Sequence, residues 1–281
     1  MKRTVWRSMS LALCVAVTAL LAFAQNTAQQ KVASAKKPMT RQAKPTATAP
    51  APDWYSVALV RVKPDMVTEW EDLQKNVVNP ALKKSGLKER SVFQTAVFGT
   101  AFEYVVITQI TNFAQFDEPM SPLRKTLGED AYRDYLTKSR RCIVSTQTVA
   151  AQSRPDLSYM GKVTSMTGPP KLAVVNSISV VPGRATAFEN LVKTDILPVM
   201  KKADVIGYFM NQTMFGGDGY EYTSVVFLDS FADLGKGSPF VRALGPQGAA
   251  TLFAKVAGLI AHQERTIARF NPDLSFGPGG N

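Results

Sequence analysis

Cysteine, histidine and negative charge near the amino terminus are the scarcities of this 281-residue chain. It has two cysteines, Cys14 and Cys142, and one histidine, His262. A single histidine excludes most zinc arrangements, and any Ser-His-Asp triad or Cys-His pair would have to be built on His262. No acidic residue precedes Asp53, whereas eight basic residues do, so a large part of the formal +11 charge sits in that stretch. Removing those eight leaves 25 basic and 22 acidic side chains in the remaining 229 residues. So balanced a body lacks the clustered Lys and Arg that a phosphate backbone requires, and no nucleic-acid partner is expected. The sequence also lacks a G-x-x-x-x-G-K-S/T loop, a G-x-G-x-x-G after a strand, a G-x-S-x-G elbow and a C-x-x-C pair.

Lys2, Arg3 and Arg7 open the chain, Leu11 to Leu21 form an apolar run, and Ala22-Phe23-Ala24 supplies the small-x-small pattern of a cleavage site. The run is too short to span a bilayer comfortably. Residues 1–24 therefore read as an export signal, which implies a periplasmic or secreted protein without a transmembrane segment once the signal is removed. Leu13 before Cys14 argues against lipidation. Cleavage would leave Cys142 alone, with no partner for an internal disulfide. Residues 25–52 are Ala, Thr, Gln, Pro and Lys with few large apolar side chains, the composition of a flexible linker.

The rest of the sequence repeats itself. A shift of 118 residues aligns Val57 with Val175, Pro64 with Pro182, Glu71 with Glu189, Pro80 with Pro198, Lys83-Lys84 with Lys201-Lys202, and Glu103-Tyr104 with Glu221-Tyr222. At 117, Leu127-Gly128 meets Leu244-Gly245 and Pro155-Asp156-Leu157-Ser158 meets Pro272-Asp273-Leu274-Ser275. Chance supplies roughly three or four identities over such a span. Two repeats are expected, at 53–160 and 161–281.

Each repeat changes periodicity in one order. Short β-rich runs, Ser56 to Lys63 and Val174 to Val181, lead into turns at Pro64 and Pro182. Amphipathic helices follow, marked by Met66, Trp70, Leu73, Val77 and Ala81 and by Ala185, Phe188, Leu191 and Val192, each bent or ended by Pro80 or Pro198. Two hairpins come next, then a second helix at about Gly128 to Arg140 and Pro246 to Ala257. Closing strands fall at Ile143 to Ser153 and Ile260 to Phe270. The order β-α-β-β-α-β is the ferredoxin-like arrangement, whose sheet leaves one apolar face uncovered. The fold class expected is α+β, with two tandem ferredoxin-like repeats packed sheet to sheet to cover those faces.

From about Trp54 to Phe276 this pattern resembles the dimeric α/β-barrel superfamily, here as a covalent pseudo-dimer. The superfamily includes antibiotic-biosynthesis monooxygenases, haem-degrading monooxygenases and tandem chlorite dismutase-like haem proteins, as well as members without known chemistry. The haem-degrading members carry an Asn on the first strand and a Trp and a His in the second helical region. Asn176 stands at the matching place. The Trp position is occupied by Leu234, and the His position falls near Leu244 and Gly245. The first repeat offers Ala58, Phe116 and Lys125.

Three residues follow as ligand-binding candidates: Asn176 on the first strand of the second repeat, Tyr222 in the repeated Glu-Tyr pair, and His262. Because both repeats keep the Glu-Tyr pair, packing is its competing role. The working expectation is a small apolar or aromatic ligand in a helix-sheet cleft, more so in the second repeat, with no metal and no cofactor. The alternatives are a cofactor-independent monooxygenase, a haem protein using His262 as the resemblance allows, and a non-catalytic assembly module, with a homo-oligomer compatible with each.

Overall fold

A computed structural model describes residues 52–118, 120–163 and 169–277. The export signal at 1–24 and nearly all of the 25–52 linker lie outside the described residues. The first set of elements is β1 (Trp54–Val62), α1 (Val67–Leu73), α2 (Asn79–Lys84), β2 (Arg90–Thr95), β3 (Glu103–Ile110), α3 (Pro122–Leu127), α4 (Glu129–Cys142) and β4 (Ile143–Ser153). The second is β5 (Leu172–Val180), α5 (Ala185–Leu191), α6 (Leu197–Lys202), β6 (Tyr208–Phe215), β7 (Glu221–Leu228), α7 (Ala232–Gly235), α8 (Pro239–Ala257) and β8 (Ile260–Phe270). The closing strands have the bounds expected from the apolar pattern.

The eight strands form one closed antiparallel barrel in the order β1-β3-β2-β8-β5-β7-β6-β4. Alternation along each strand assigns the two faces. In β1, Ala58, Val60 and Val62 pack into a core with Trp70, Leu73 and Tyr104, so Val57 and Leu59 turn the other way, into the barrel. In β5, Ile178 and Val180 pack with Phe188, Val192 and Tyr222, so Val175 faces inward. The expected sheet-to-sheet stack of two layers is replaced by a closed barrel. The edges of the two halves are hydrogen-bonded, with β2 to β8 through Phe93–Phe270, Gln94–Arg269 and Thr95–Ala268, and β4 to β6 through Ala150–Phe215 and its neighbours. Closure of this kind removes sheet edges that would otherwise invite aggregation.

The prolines neither bend nor end their helices in the expected manner. A π turn precedes each one, at Gln74–Val78 and Val192–Ile196, and the chain stays helical to Lys84 and Lys202. The Asn79 N–H donates to the Gln74 carbonyl, and the Leu197 N–H to that of Val192, five residues back in both cases. The wider turn gives the proline ring room against the preceding turn and absorbs its missing N–H. The second helices do break, at Gly128 (φ 79°, ψ 168°) and Gly245 (φ 72°, ψ 169°). That backbone geometry is strained for any residue with a Cβ, which explains why glycine stands in both places.

The repeated Pro-Asp-Leu-Ser motif is a reciprocal anchor. After β4 the chain crosses to the opposite half, where the Arg154 N–H donates to the Met210 carbonyl at 2.8 Å and Leu157 enters the core around Phe188. After β8 the chain crosses the other way. The Asn271 N–H donates to the Val92 carbonyl at 2.8 Å, and Leu274 enters the core around Trp70. Leu157 is 0% and Leu274 1% exposed. Truncating a side chain this well packed leaves a cavity. Leu157→Ala and Leu274→Ala should therefore each cost about 2–5 kcal/mol in urea unfolding, and a change below about 0.5 kcal/mol, the level of an ordinary surface substitution, would mean that the exchanged tails are not structural anchors.

Candidate functional site

A pocket of about 640 Å³ opens between the sheet and the helices of the second half. Its apolar wall comes from Val174, Val226 and Ile267 on the strands and from Met200, Leu234 and Phe240 on the helical side. The strand residues line it because they occupy the helix-facing register of β5, β7 and β8. Asn176 follows Val174 by two positions and so points the same way. It is paired with Ser224 on β7 and Arg265 on β8.

Hydrogen bonds tie these residues into a polar floor. The Asn176 Nδ2 donates to Ser224 Oγ at 3.1 Å, while its Oδ1 accepts from Arg265 Nε at 2.7 Å and from Gln263 Nε2 at 3.3 Å. Tyr208 bonds to Ser224 in turn, and burial pushes its phenol well above the ordinary value. An amide with both ends engaged holds its neighbours in place and has no free proton-accepting group for acid-base chemistry. The floor can orient a polar ligand atom. It contains no general base.

The other two sequence candidates lie elsewhere. Tyr222 is buried on the helix-facing side of β7 but does not line the pocket, because its ring packs 5.0 Å from Phe188 and its O–H donates to Glu189 on α5 at 2.8 Å. Tyr104 does the same in the first half, donating to Glu71 at 2.8 Å. Tyr222 is thus a core tyrosine with a satisfied hydroxyl, and the repeated tyrosines secure helix to sheet. His262 stands opposite Ser179 on β8, on the face turned toward the barrel interior, and it is exposed. Gln263 and Arg265, one and three residues further along the strand, face the pocket side instead. The three candidates do not converge. His262 is not in a position to serve as an axial haem ligand in this pocket. Among the described residues, no three His, Cys, Asp or Glu side chains come together as a metal site would require.

Sequence reasoning missed Ser224, Tyr208 and Arg265, and it missed Arg90. In the first half, Ala58 takes the place of Asn176 and is paired with Val106 and Thr148. Arg90 stands where the second half has Tyr208. Its buried guanidinium donates to Asn79 Oδ1 at 2.6 Å, Gln74 Oε1 at 2.8 Å and the Leu274 carbonyl at 3.1 Å. Burial among neutral acceptors lowers its pKa to about 10. The two helix-sheet spaces are therefore chemically unlike. An arginine two positions before Val92, on the same face of the strand, was the one signal available for it.

No protein-family model matches the sequence, and no curated protein does. Solved structures do resemble it. An anthrone oxidase-like protein superposes with a TM-score of 0.55 at 10% identity, covering 78% of this chain and 91% of its own. A candidate monooxygenase from Fusobacterium nucleatum gives 0.53 at 12% identity, over 82% and 96% of the two chains. One from Lactobacillus acidophilus gives 0.51 at 8% identity, over 82% and 98%. This chain has the dimeric α/β-barrel fold. Such identities establish the shared barrel and leave its chemistry to be argued from the residues.

A second polar cluster secures one exchanged tail of the barrel. Arg154 reaches Glu189, which it touches closely, as well as Asp156 at 2.9 Å and Gln212 at 3.1 Å, while Lys193 pairs with Asp156 at 2.8 Å. Hydrogen bonding to Arg154 holds the Asp156 carboxyl down at about 2, and also lowers Glu189. A carboxylate with a depressed pKa stabilises the fold above its unfolded value, and that contribution is lost as pH falls through the folded value. Solvent reaches a third of the Asp156 side chain and screens it. Unfolding stability should therefore fall by on the order of 1 kcal/mol between about pH 4 and pH 2 through this cluster. Arg154→Gln should flatten that part of the profile in urea titrations at each pH. An unchanged slope would remove the cluster from the acid response.

Proposed function

We propose that this is an exported binding protein built from a tandem pair of ferredoxin-like halves, 53–160 and 161–281, that holds a small apolar or aromatic molecule in the second half. The observation that carries the reading is the 640 Å³ pocket, whose strand and helix sides present Val174, Val226, Ile267, Met200 and Phe240, with Asn176 at a polar floor and charged side chains also lining it. Its size falls in the range of ligand cavities, and Asn176 and Arg265 stand together on its strand side. The repeated sequence and the matching strand order of the halves support the tandem arrangement.

Binding is preferred to oxygenation because the Asn176 amide is engaged at both ends and His262 is turned away. The reading invokes no cofactor. Resemblance to candidate monooxygenases supports the barrel, and oxygen uptake in the presence of phenols would be the sign of the oxygenase alternative.

Titration of 2-naphthol against the mature chain by calorimetry tests the reading. Saturable one-site binding is expected. Ala203→Phe, which places a ring in the pocket beside Phe240, should weaken that binding at least about tenfold, since a side chain then occupies the ligand's volume. Circular dichroism should show the fold intact. No binding to the unaltered chain, or equal binding to the variant, would refute the pocket as the site.

A further inference from the structure

The charges around the pocket do not cancel. Four cationic side chains line it, Lys162, Lys236, Arg242 and Arg265, against three carboxylates, Asp204, Asp229 and Asp233. Lys162 pairs with Asp204, and Lys236 with Asp233. The Arg242 guanidinium donates to the carbonyls of Gly237 and Ala203, at 3.5 and 3.3 Å. Arg265 spends its Nε on Asn176. Among the described residues, neither arginine is in a salt bridge with a carboxylate. Two guanidinium groups thus face one unpaired Asp229, which leaves a single positive charge in a pocket whose walls are otherwise apolar.

We infer that the ligand is an amphipathic carboxylate, with an apolar or aromatic body against Val174, Val226 and Phe240 and its carboxylate on Arg265. This rests on the binding reading above and narrows it to a chemical class. With its Nε fixed by Asn176, the Arg265 guanidinium is held in orientation and its two η nitrogens remain to form parallel hydrogen bonds to two carboxylate oxygens. Asn176 thereby acts as a positioning residue whose partner contacts the ligand. A monoanion balances the single excess charge, whereas a dianion such as a phosphate ester would bring a second negative charge beside Asp229. Arg265 is exposed, so solvent and salt reach the contact, and the paired geometry of two hydrogen bonds carries its specificity.

Calorimetric titration of naphthalene-2-carboxylate and of its neutral isostere, naphthalene-2-carboxamide, at pH 7 tests the inference. The carboxylate should bind at least about tenfold more tightly, the margin of a charge-assisted hydrogen bond over a neutral one. Arg265→Gln should bring the two affinities within about twofold of each other by weakening only the carboxylate, because one residue carries the charge recognition. Equal affinities in the unaltered protein, or a preference that survives Arg265→Gln, would overturn the inference while leaving the pocket in place. Failure of both probes to bind would overturn the pocket reading itself. Should Arg265→Gln fail to fold, the unaltered chain still decides. Raising sodium chloride from 0.05 to 0.5 M should weaken the carboxylate and spare the carboxamide, as screening predicts, and an equal response from both would count against the arginine contact.

Discussion

A four-stranded sheet with helices on one side has a second side that water must not reach. In this protein that constraint governs the rest. Val57, Leu59 and Val175 are apolar residues on the faces that the helices leave uncovered, and closure of the eight strands turns those faces into the barrel interior. The solution goes beyond contact of two faces. Strands β2 and β8, and β4 and β6, extend the backbone ladder across both joints, so the barrel has hydrogen bonds where two separate sheets would have edges. The tails after β4 and β8 then cross the same joints and drive Leu157 and Leu274 into the partner core. Sheet closure and tail exchange thus serve one end.

The scaffold is shared and its fillings are not. At one register position the halves carry Ala58 and Asn176, and at another Arg90 and Tyr208. In the first half a buried guanidinium ties the first helical segment to the incoming tail through neutral acceptors. In the second, Asn176, Ser224 and Arg265 form a floor under an open space. Buried polar groups have to be satisfied wherever they stand. Satisfaction through the protein's own tail is a structural solution, and satisfaction around a pocket leaves room for a ligand.

The strands and their succession along the chain were legible in the sequence because alternation and turn residues are local signals, whereas the ladders that join β2 to β8 and β4 to β6 were not. Ile143–Ser153 and Ile260–Phe270 show this, with ends set by the change from helical to alternating apolar spacing. The π turns were hidden, since the sequence around Pro80 and Pro198 looks like a helix about to stop, and only the backbone shows that the turn widens instead. The Pro-Asp-Leu-Ser motif was visible as a repeat, but repetition says nothing about which half a segment packs against. Asn176 was found through its strand position, yet its partners come from β7 and β8, 48 and 89 residues away, and such convergence is set by register. Tyr222 and His262 drew attention as chemically capable types; one position of alternation turns His262 to the other face, whereas Tyr222 shares the pocket's face but is held farther along β7 by Phe188 and Glu189.

The exchanged tails bear on how the molecule behaves when it is scarce. A barrel assembled from two separate chains comes apart on dilution, because its stability depends on protomer concentration. Here the partner cores and the tails that fill them belong to one polypeptide, which makes docking an intramolecular event with a fixed effective concentration. The pocket in the second half therefore persists however few copies are present, while at the corresponding strand position the first half binds Arg90 to its own helix and to the incoming tail.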